Sequence, residues 1–288
     1  MSRSMPVPRW ISVWALRCGA AIALCLGAPV PGTAQTVKAL LARSATGPGA
    51  AIDHSEWDRL LTKHVRPNPD GVNRVDYTSF KAQGRDTLNA YIARLEGTDV
   101  TQLDRPGQFA FLANLYNAKT VNLVIERYPV QSIRDIALGG GLTSLFIGGP
   151  WQAKVMRLRG VELSLDDIEH EILRPLFNDP RVHYAVNCAS IGCPNIGTEA
   201  LVGPRLDAQL DAAARAYVNH PRGFAVRDGR LAVSSIYNWY KTDFGGTNAG
   251  VIAHARKYAA PALAAQLQGI ETIDRHDYDW RLNDVRTR

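Results

Sequence analysis

Cysteine is scarce in this chain of 288 residues, with four in all, and the four fall into two pairs of different meaning. Cys18 and Cys25 lie in an N-terminal apolar run, which leaves Cys188 and Cys193 as the sulfhydryls of the main body. That scarcity excludes a disulfide-dense scaffold. Two cysteines with a distant His170 or His183 also lack tight ligand spacing, so no metal is expected. Dense Lys/Arg blocks and aromatic-basic interleaving are absent, and nucleic-acid binding is therefore not expected despite 33 basic against 27 acidic residues. Past the N-terminus no apolar run approaches the length that crosses a bilayer, so no integral membrane segment is expected once a leader is removed. There is no internal repeat and no composition break that marks a domain boundary.

What is present begins with a leader. Arg3, Arg9 and Arg17 come with no acid before residue 35, and the apolar run 18–28 is closed by Pro29 and Pro31. Gly32, Thr33 and Ala34 then supply small residues, the tripartite pattern of a secretory signal cleaved after Ala34. Leu24 before Cys25 fits a lipid-attachment box poorly. The expected organisation is a signal peptide over 1–34, a flexible lead-in over 35–52 and one α+β domain over 53–288. The expected location is the periplasm or the medium. Without the leader the formal charge falls from +6 to +3, because that segment carries three arginines and no acid.

Periodicity supplies the elements. Residues 108–128 are apolar over most of a helical surface, which predicts a central helix surrounded by other elements. Asn114 and Asn117 share a face of it and either tie the helix to neighbouring loops or line a pocket. A short strand is predicted over 72–77, and helices over 88–95, 206–218 and 248–258. Arg159-Gly160 and Asp228-Gly229 predict tight hairpins. Ser164 with Asp167 predicts a capped helix start, and the acids Asp166, Asp167, Glu169 and Glu171 suit its N-terminal dipole. Gly139 to Gly149 holds five glycines but no Lys-Ser/Thr after them, so it reads as a flap or long loop and no nucleotide cofactor is expected.

The chemistry gathers in 181–194. Val182 to Asn187 alternates as a half-buried strand does, with His183, Ala185 and Asn187 on one face, before a small-residue turn holding Cys188, Ser190 and Cys193. One reading makes Cys188 a nucleophile with His183 carrying the proton, and Asn114, Asn117 or Asn187 orienting the imidazole or holding an oxyanion. Along an extended strand His183 cannot reach Cys188 directly, so that reading needs the chain to fold back. The other reading joins Cys188 to Cys193 in a structural disulfide, which an exported protein keeps. Trp239 and Asp243 belong to an aromatic-acid cluster beside the pocket; Asp243 either anchors a loop or orients a histidine. Trp280 reads as a plug for the edge of the core.

Several separate motifs agree on a resemblance. The runs 109–118, 163–169, 179–190 with Gly192-Cys193-Pro194, and Trp239-Tyr240 with Asp243-Phe244-Gly245 resemble the domain-of-unknown-function 547 family over roughly 53–258. Phe111-Leu112 stands where that family often has a tryptophan. The family looks distantly similar to papain-like and transglutaminase-like folds, which implies a central helix packed on an antiparallel sheet and a histidine at position 183. In those folds the nucleophile opens the central helix; here that helix offers no cysteine, so activity needs Cys188 to enter from its loop. Two functions follow as expectations. One is thiol-dependent acyl transfer or hydrolysis on a peptide or amide. The other is a non-catalytic binding or assembly domain for an envelope-protein partner.

Overall fold

The computed structural model describes residues 33–47, 49–138 and 149–287, all within a compact unit from Gly32 to Arg288. Its architecture is α+β, with helices enclosing three small sheets. All but the last two residues of the segment 1–34 read as a signal peptide, and most of the glycine-rich stretch 139–149, lie outside the described residues. The stretch read as a lead-in contains helix α1 (Thr33–Leu41), whose Val37 and Leu41 are fully buried. Among the described residues no helix is long and apolar enough to cross a membrane.

Helix α2 (Ser55–His64) starts where the Asp53 carboxylate accepts the Ser55 N–H. It is followed by a two-residue ladder of β1 (Val65–Arg66) with β2 (Arg74–Val75). The strand predicted over 72–77 shrinks to that pair because Asp76 caps α3 (Tyr77–Gln83) through the Ser79 N–H. Helix α4 (Arg85–Glu96) presents Leu88, Tyr91, Ile92 and Leu95 inward, as the spacing predicts.

The central helix is α5 (Arg105–Arg127). Asp104 accepts the Gly107 N–H and Pro106 occupies the first turn, so the helix begins with its orphan donors satisfied. Every residue from Gln108 to Ala118 is buried. Each large apolar side chain enclosed in this way contributes on the order of 1.5–3 kcal/mol. Helices α3 and α4 pack on one flank and a π-helix (Asp167–Leu173) on another, so helices rather than a continuous sheet form its immediate surroundings.

The hairpin β3 (Met156–Leu158) and β4 (Val161–Leu163) turns at Arg159 and Gly160, both with positive φ. Ser164 and Asp167 then form the reciprocal cap expected from their spacing. The helix that follows widens into the π-form and runs into α6 (Arg174–Phe177). The largest departure from the sequence reading is at 182–187. Residues Val182–Ala185 form a helical turn, α7, and the chain extends only from Val186. Asp179-Pro180 bends the backbone, and the carbonyls of Asp179 and Pro180 accept the N–H groups of Val182 and His183. All four residues of α7 are buried, so apolar alternation there does not separate an inner from an outer face.

A second core surrounds α8 (Leu206–Val218) and α10 (Asn248–Tyr258), with Tyr184, Tyr217, Tyr237 and Phe244 at its centre. It is edged by β5 (Phe224–Arg227), β6 (Arg230–Ser234) and the short α9 (Ile236–Trp239). Helix α11 (Pro261–Gln266) precedes β7 (Arg275–Asp277), which pairs parallel to β6. The chain then passes beneath the cysteine loop. Gly192 N–H donates to Asp279 O, Ile191 N–H to Arg281 O, and Asn283 N–H to Ala189 O.

Candidate functional site

A pocket of about 270 Å³ opens between the two cores, lined by Tyr116 and Val186 from one and Ile236 from the other. Its walls are aromatic: Trp151, Trp239, Tyr240, Tyr278 and Trp280. Trp280 lies 5.6 Å from Trp239 and 5.7 Å from Trp151 between ring centroids, so it is a wall of the pocket rather than a plug. Trp239 is 46% exposed and carries the aromatic surface outward to solvent. Polar groups reach the pocket from two sides, an imidazole-carboxylate cluster and a thiol cluster.

The first cluster is built on the π-helix and α7. The His183 ring is enclosed and donates from Nε2 to Asp243 Oδ2 at 2.7 Å, while Nδ1 faces Glu169 Oε1 at 3.6 Å. Arg174 grips Asp243 with two bonds of 2.6 and 3.0 Å. Tyr116 donates to Glu169 at 3.2 Å, and Tyr240 stacks on the imidazole with ring centroids 4.2 Å apart. Burial opposes charge on His183, but the bonds to Asp243 and Glu169 outweigh it and lift the imidazole above its ordinary value. Burial would raise both carboxylates too; bonds from His183 and Arg174 hold Asp243 well down, and bonds from His183 and Tyr116 hold Glu169 down. The cluster is therefore a buried imidazole clamped between two carboxylates, which favour its protonated form. Both ring nitrogens face carboxylates, so neither is turned toward a thiol.

The wider turn of the π-helix also brings Asp166 and His170 to the pocket wall. Burial holds the Asp166 carboxyl above the usual carboxylate range. His170 accepts from Arg174 at 3.3 Å through Nδ1 and turns Nε2 toward Asp166 at 3.7 Å. Its ring is not clamped between two acids as His183 is.

The second cluster belongs to the loop after α7. Both cysteines are free thiols, with Cys188 part-exposed and Cys193 buried. Cys188 Sγ lies 3.0 Å from Cys193 Sγ, 3.0 Å from the Tyr278 hydroxyl and 3.3 Å from Ser190 Oγ. All three neighbours carry a hydrogen they can donate to sulfur. The bond from Cys193, then those from Ser190 and Tyr278, outweigh burial and lower the Cys188 thiol below its ordinary value, although the Glu169 charge pushes the other way. Burial, the bond to Cys188 and its charge raise Cys193 well above the ordinary thiol range.

The loop holds its shape through backbone contacts supplied by the asparagines. Asn117 donates to Ala185 O at 2.8 Å and accepts the Asn187 N–H at 2.8 Å. Asn187 donates to Pro194 O and accepts the Ala189 N–H, which lets Ala189 take a positive φ of 58°. Asn114 holds a different segment, bonding Leu201 through both its amide atoms. Gly192 permits the close approach of the C-terminal strand, since a Cβ there would stand 2.8 Å from the Asp279 nitrogen. The three asparagines thus shape backbone, and none lines this pocket; Asn114 and Asn117 line a second one, of about 500 Å³.

The motif-bearing stretch from the central helix through the cysteine loop has a counterpart. Residues 100–218 match the family model DUF547, described as a protein of unknown function. No curated protein and no solved structure gives a match. The DUF547 segment contributes Tyr116, Asp166, Glu169, His170, His183 and both cysteines to the pocket, whereas Trp239, Tyr240, Tyr278 and Trp280 come from beyond it.

Of the residues singled out from sequence, Cys188, Cys193, His183 and Trp239 line one pocket, Ser190 supports Cys188, and Asp243 holds His183. The sequence reading missed Tyr116, Glu169, His170, Arg174, Tyr240 and Tyr278, and assigned Asp166 only to a helix start. The available signals were the Asp166, Glu169 and His170 spacing on one helical face and the aromatic pair Tyr278 and Trp280. Among the described residues no group of three or more His, Cys, Asp or Glu side chains is arranged to hold a metal ion.

Proposed function

We propose that this exported chain is a thiol-dependent transfer enzyme in which Cys188 attacks a small acyl substrate, an amide or an ester. The observation that carries this reading is the set of three hydrogen-bonding neighbours around Cys188 Sγ, two of which, Ser190 and Tyr278, also bond each other, inside a formed pocket. Together they lower the Cys188 thiol below its ordinary value, which favours the thiolate as nucleophile. In the reaction the sulfur adds to the carbonyl carbon, and the Ser190 and Tyr278 hydroxyls are at hand for the developing oxyanion. Asp166, whose carboxyl burial raises above its ordinary value, and His170 face the same space and are the groups suited to protonate the leaving amine or alkoxide. His183 serves as a fixed charged strut, not as the general base. The pocket volume suits one side chain or a small molecule rather than a long chain.

A second reading is a non-catalytic binding pocket with the two sulfurs joined, and the locked state of His183 favours it. Mass spectrometry on protein mixed with a p-nitrophenyl ester separates the two. The enzyme reading expects a thioester on Cys188, with rapid loss of that thiol to iodoacetamide at neutral pH. A quantitative 188–193 crosslink in protein purified without reductant, inert to the ester after gentle reduction, would overturn it.

A further inference from the structure

The two sulfurs differ in a way that acyl transfer does not use. Cys188 is part-exposed at the pocket wall, and Cys193, also at the wall but buried, lies 3.0 Å from it. The loop between them is already closed: Cys193 N–H donates to Ser190 O, Asn187 Nδ2 donates to Pro194 O, and Cys188 N–H donates to Cys193 Sγ at 3.1 Å. Bringing sulfurs from 3.0 Å to bonding distance, about 2.05 Å, takes a shift of about 1 Å, within reach of side-chain rotation. The chain entropy that normally opposes closure is spent in folding the loop.

We propose that Cys188 and Cys193 form a dithiol that reduces a disulfide substrate, Cys188 attacking and Cys193 resolving. This rests on the reading of Cys188 as a reduced nucleophile. In the first step the Cys188 thiolate attacks one sulfur of a substrate R–S–S–R, forming Cys188–S–S–R and expelling RS⁻, which takes a proton from solvent. In the second, Cys193 loses its proton to water in the pocket and attacks Cys188 Sγ, forming the 188–193 disulfide and expelling the second RS⁻. The substrate disulfide is reduced by two electrons and the protein dithiol is oxidised by two.

The order of the steps is built into the pair. While Cys188 is a thiolate, its charge and its hydrogen bond hold the proton on Cys193. Once Cys188 is capped by R, both of those influences vanish and the backbone N–H of Cys188 remains to stabilise the Cys193 anion. The resolving thiol is therefore armed by the first step. The aromatic walls favour a flat or apolar R group, for which 2,2′-dithiodipyridine is a usable probe.

The test mixes the reduced full-length chain, with Cys18 and Cys25 replaced by Ser in every sample including the one called wild type, with 2,2′-dithiodipyridine and follows thione release by absorbance and the products by mass spectrometry. The wild-type chain is expected to release two thiones and to end with a 188–193 disulfide and no adduct. Cys193→Ser keeps a donor beside Cys188, and it is expected to release one thione, half the wild-type yield, and to retain a pyridyl adduct on Cys188. A wild-type chain that keeps the adduct on Cys188 while Cys193 stays free would overturn the dithiol, and rapid iodoacetamide labelling of Cys188 in the same sample would leave the nucleophile reading standing. Failure of both reagents to modify Cys188 would overturn both.

Discussion

Replacing Asp243 by Asn tests the buried charge cluster most directly. Asn is nearly the same size and keeps one acceptor, but it removes the negative charge from a carboxylate bonded to His183 at 2.7 Å and to Arg174 at 2.6 and 3.0 Å. The imidazolium is then balanced only by Glu169, at 3.6 Å. Removing one partner of a buried ion pair costs about 3–5 kcal/mol. The Asp243 side chain is 22% exposed, so water compensates part of the loss and about 3 kcal/mol is the better figure. For a domain of this size that corresponds to a fall in Tm of about 6–12 °C. Urea unfolding at pH 7 measures the stability, and NMR of the His183 ring reports its charge, which in the wild type persists above the ordinary imidazole range. The variant is expected to titrate lower. A double cycle with Arg174→Gln should be strongly non-additive, because both changes remove the same pair of bonds. A loss under about 1 kcal/mol with an unchanged His183 titration would refute the charged cluster.

Two further outcomes follow from the same geometry. Asn117→Ala removes two buried hydrogen bonds that hold the backbone at Ala185 and Asn187, so it should cost about 2–4 kcal/mol in urea unfolding and slow alkylation of Cys188 by loosening its loop. Acid should destabilise the fold well before most carboxylates titrate. Burial holds His54, His64 and His254 down at about 4 against an ordinary value of 6.5, so these rings are neutral in the fold while the unfolded chain takes up protons below pH 6.5. Their contribution is intact above pH 6.5 and is lost as pH falls toward 4, on the order of 2 kcal/mol each by pH 4.5. His183 has the opposite sign, contributing fully below pH 6.5 and losing its share as pH rises through its folded value. Urea midpoints measured from pH 8 to 4.5 should therefore peak near neutrality. His64→Phe, which replaces a ring whose nitrogens have no partner, should flatten the acid limb.

Much of this arrangement could be read along the chain. The central helix, both tight hairpins and the helices Leu206–Val218 and Asn248–Tyr258 appear where periodicity and turn residues put them, because each is specified by its own local pattern. The segment around His183 could not be read in this way. A residue buried on all sides loses its polar-apolar contrast, and Val182 to Ala185 looks like a strand while being a turn of helix. The site divides along the same line. Cys188, Cys193 and His183 stand close together in sequence and drew notice as a group. Glu169, Asp243 and Tyr278 come from three distant segments, and nothing along the chain links an acid on one helix to a phenol 109 residues later. The clamp on His183, which argues against a simple thiol-imidazole pair, is visible only in three dimensions.

The passage of the C-terminal strand beneath the cysteine loop also sets when the reactive centre comes into being. Tyr278 and Trp280 are held at the pocket by the segment in which Asp279, Arg281 and Asn283 bond back to Gly192, Ile191 and Ala189. A nascent polypeptide therefore emerges with both sulfurs present but without the phenol that tempers one of them. The pocket is complete only with residues 278–283 in place, and cleavage between the cysteine loop and Tyr278 would open it without touching a cysteine.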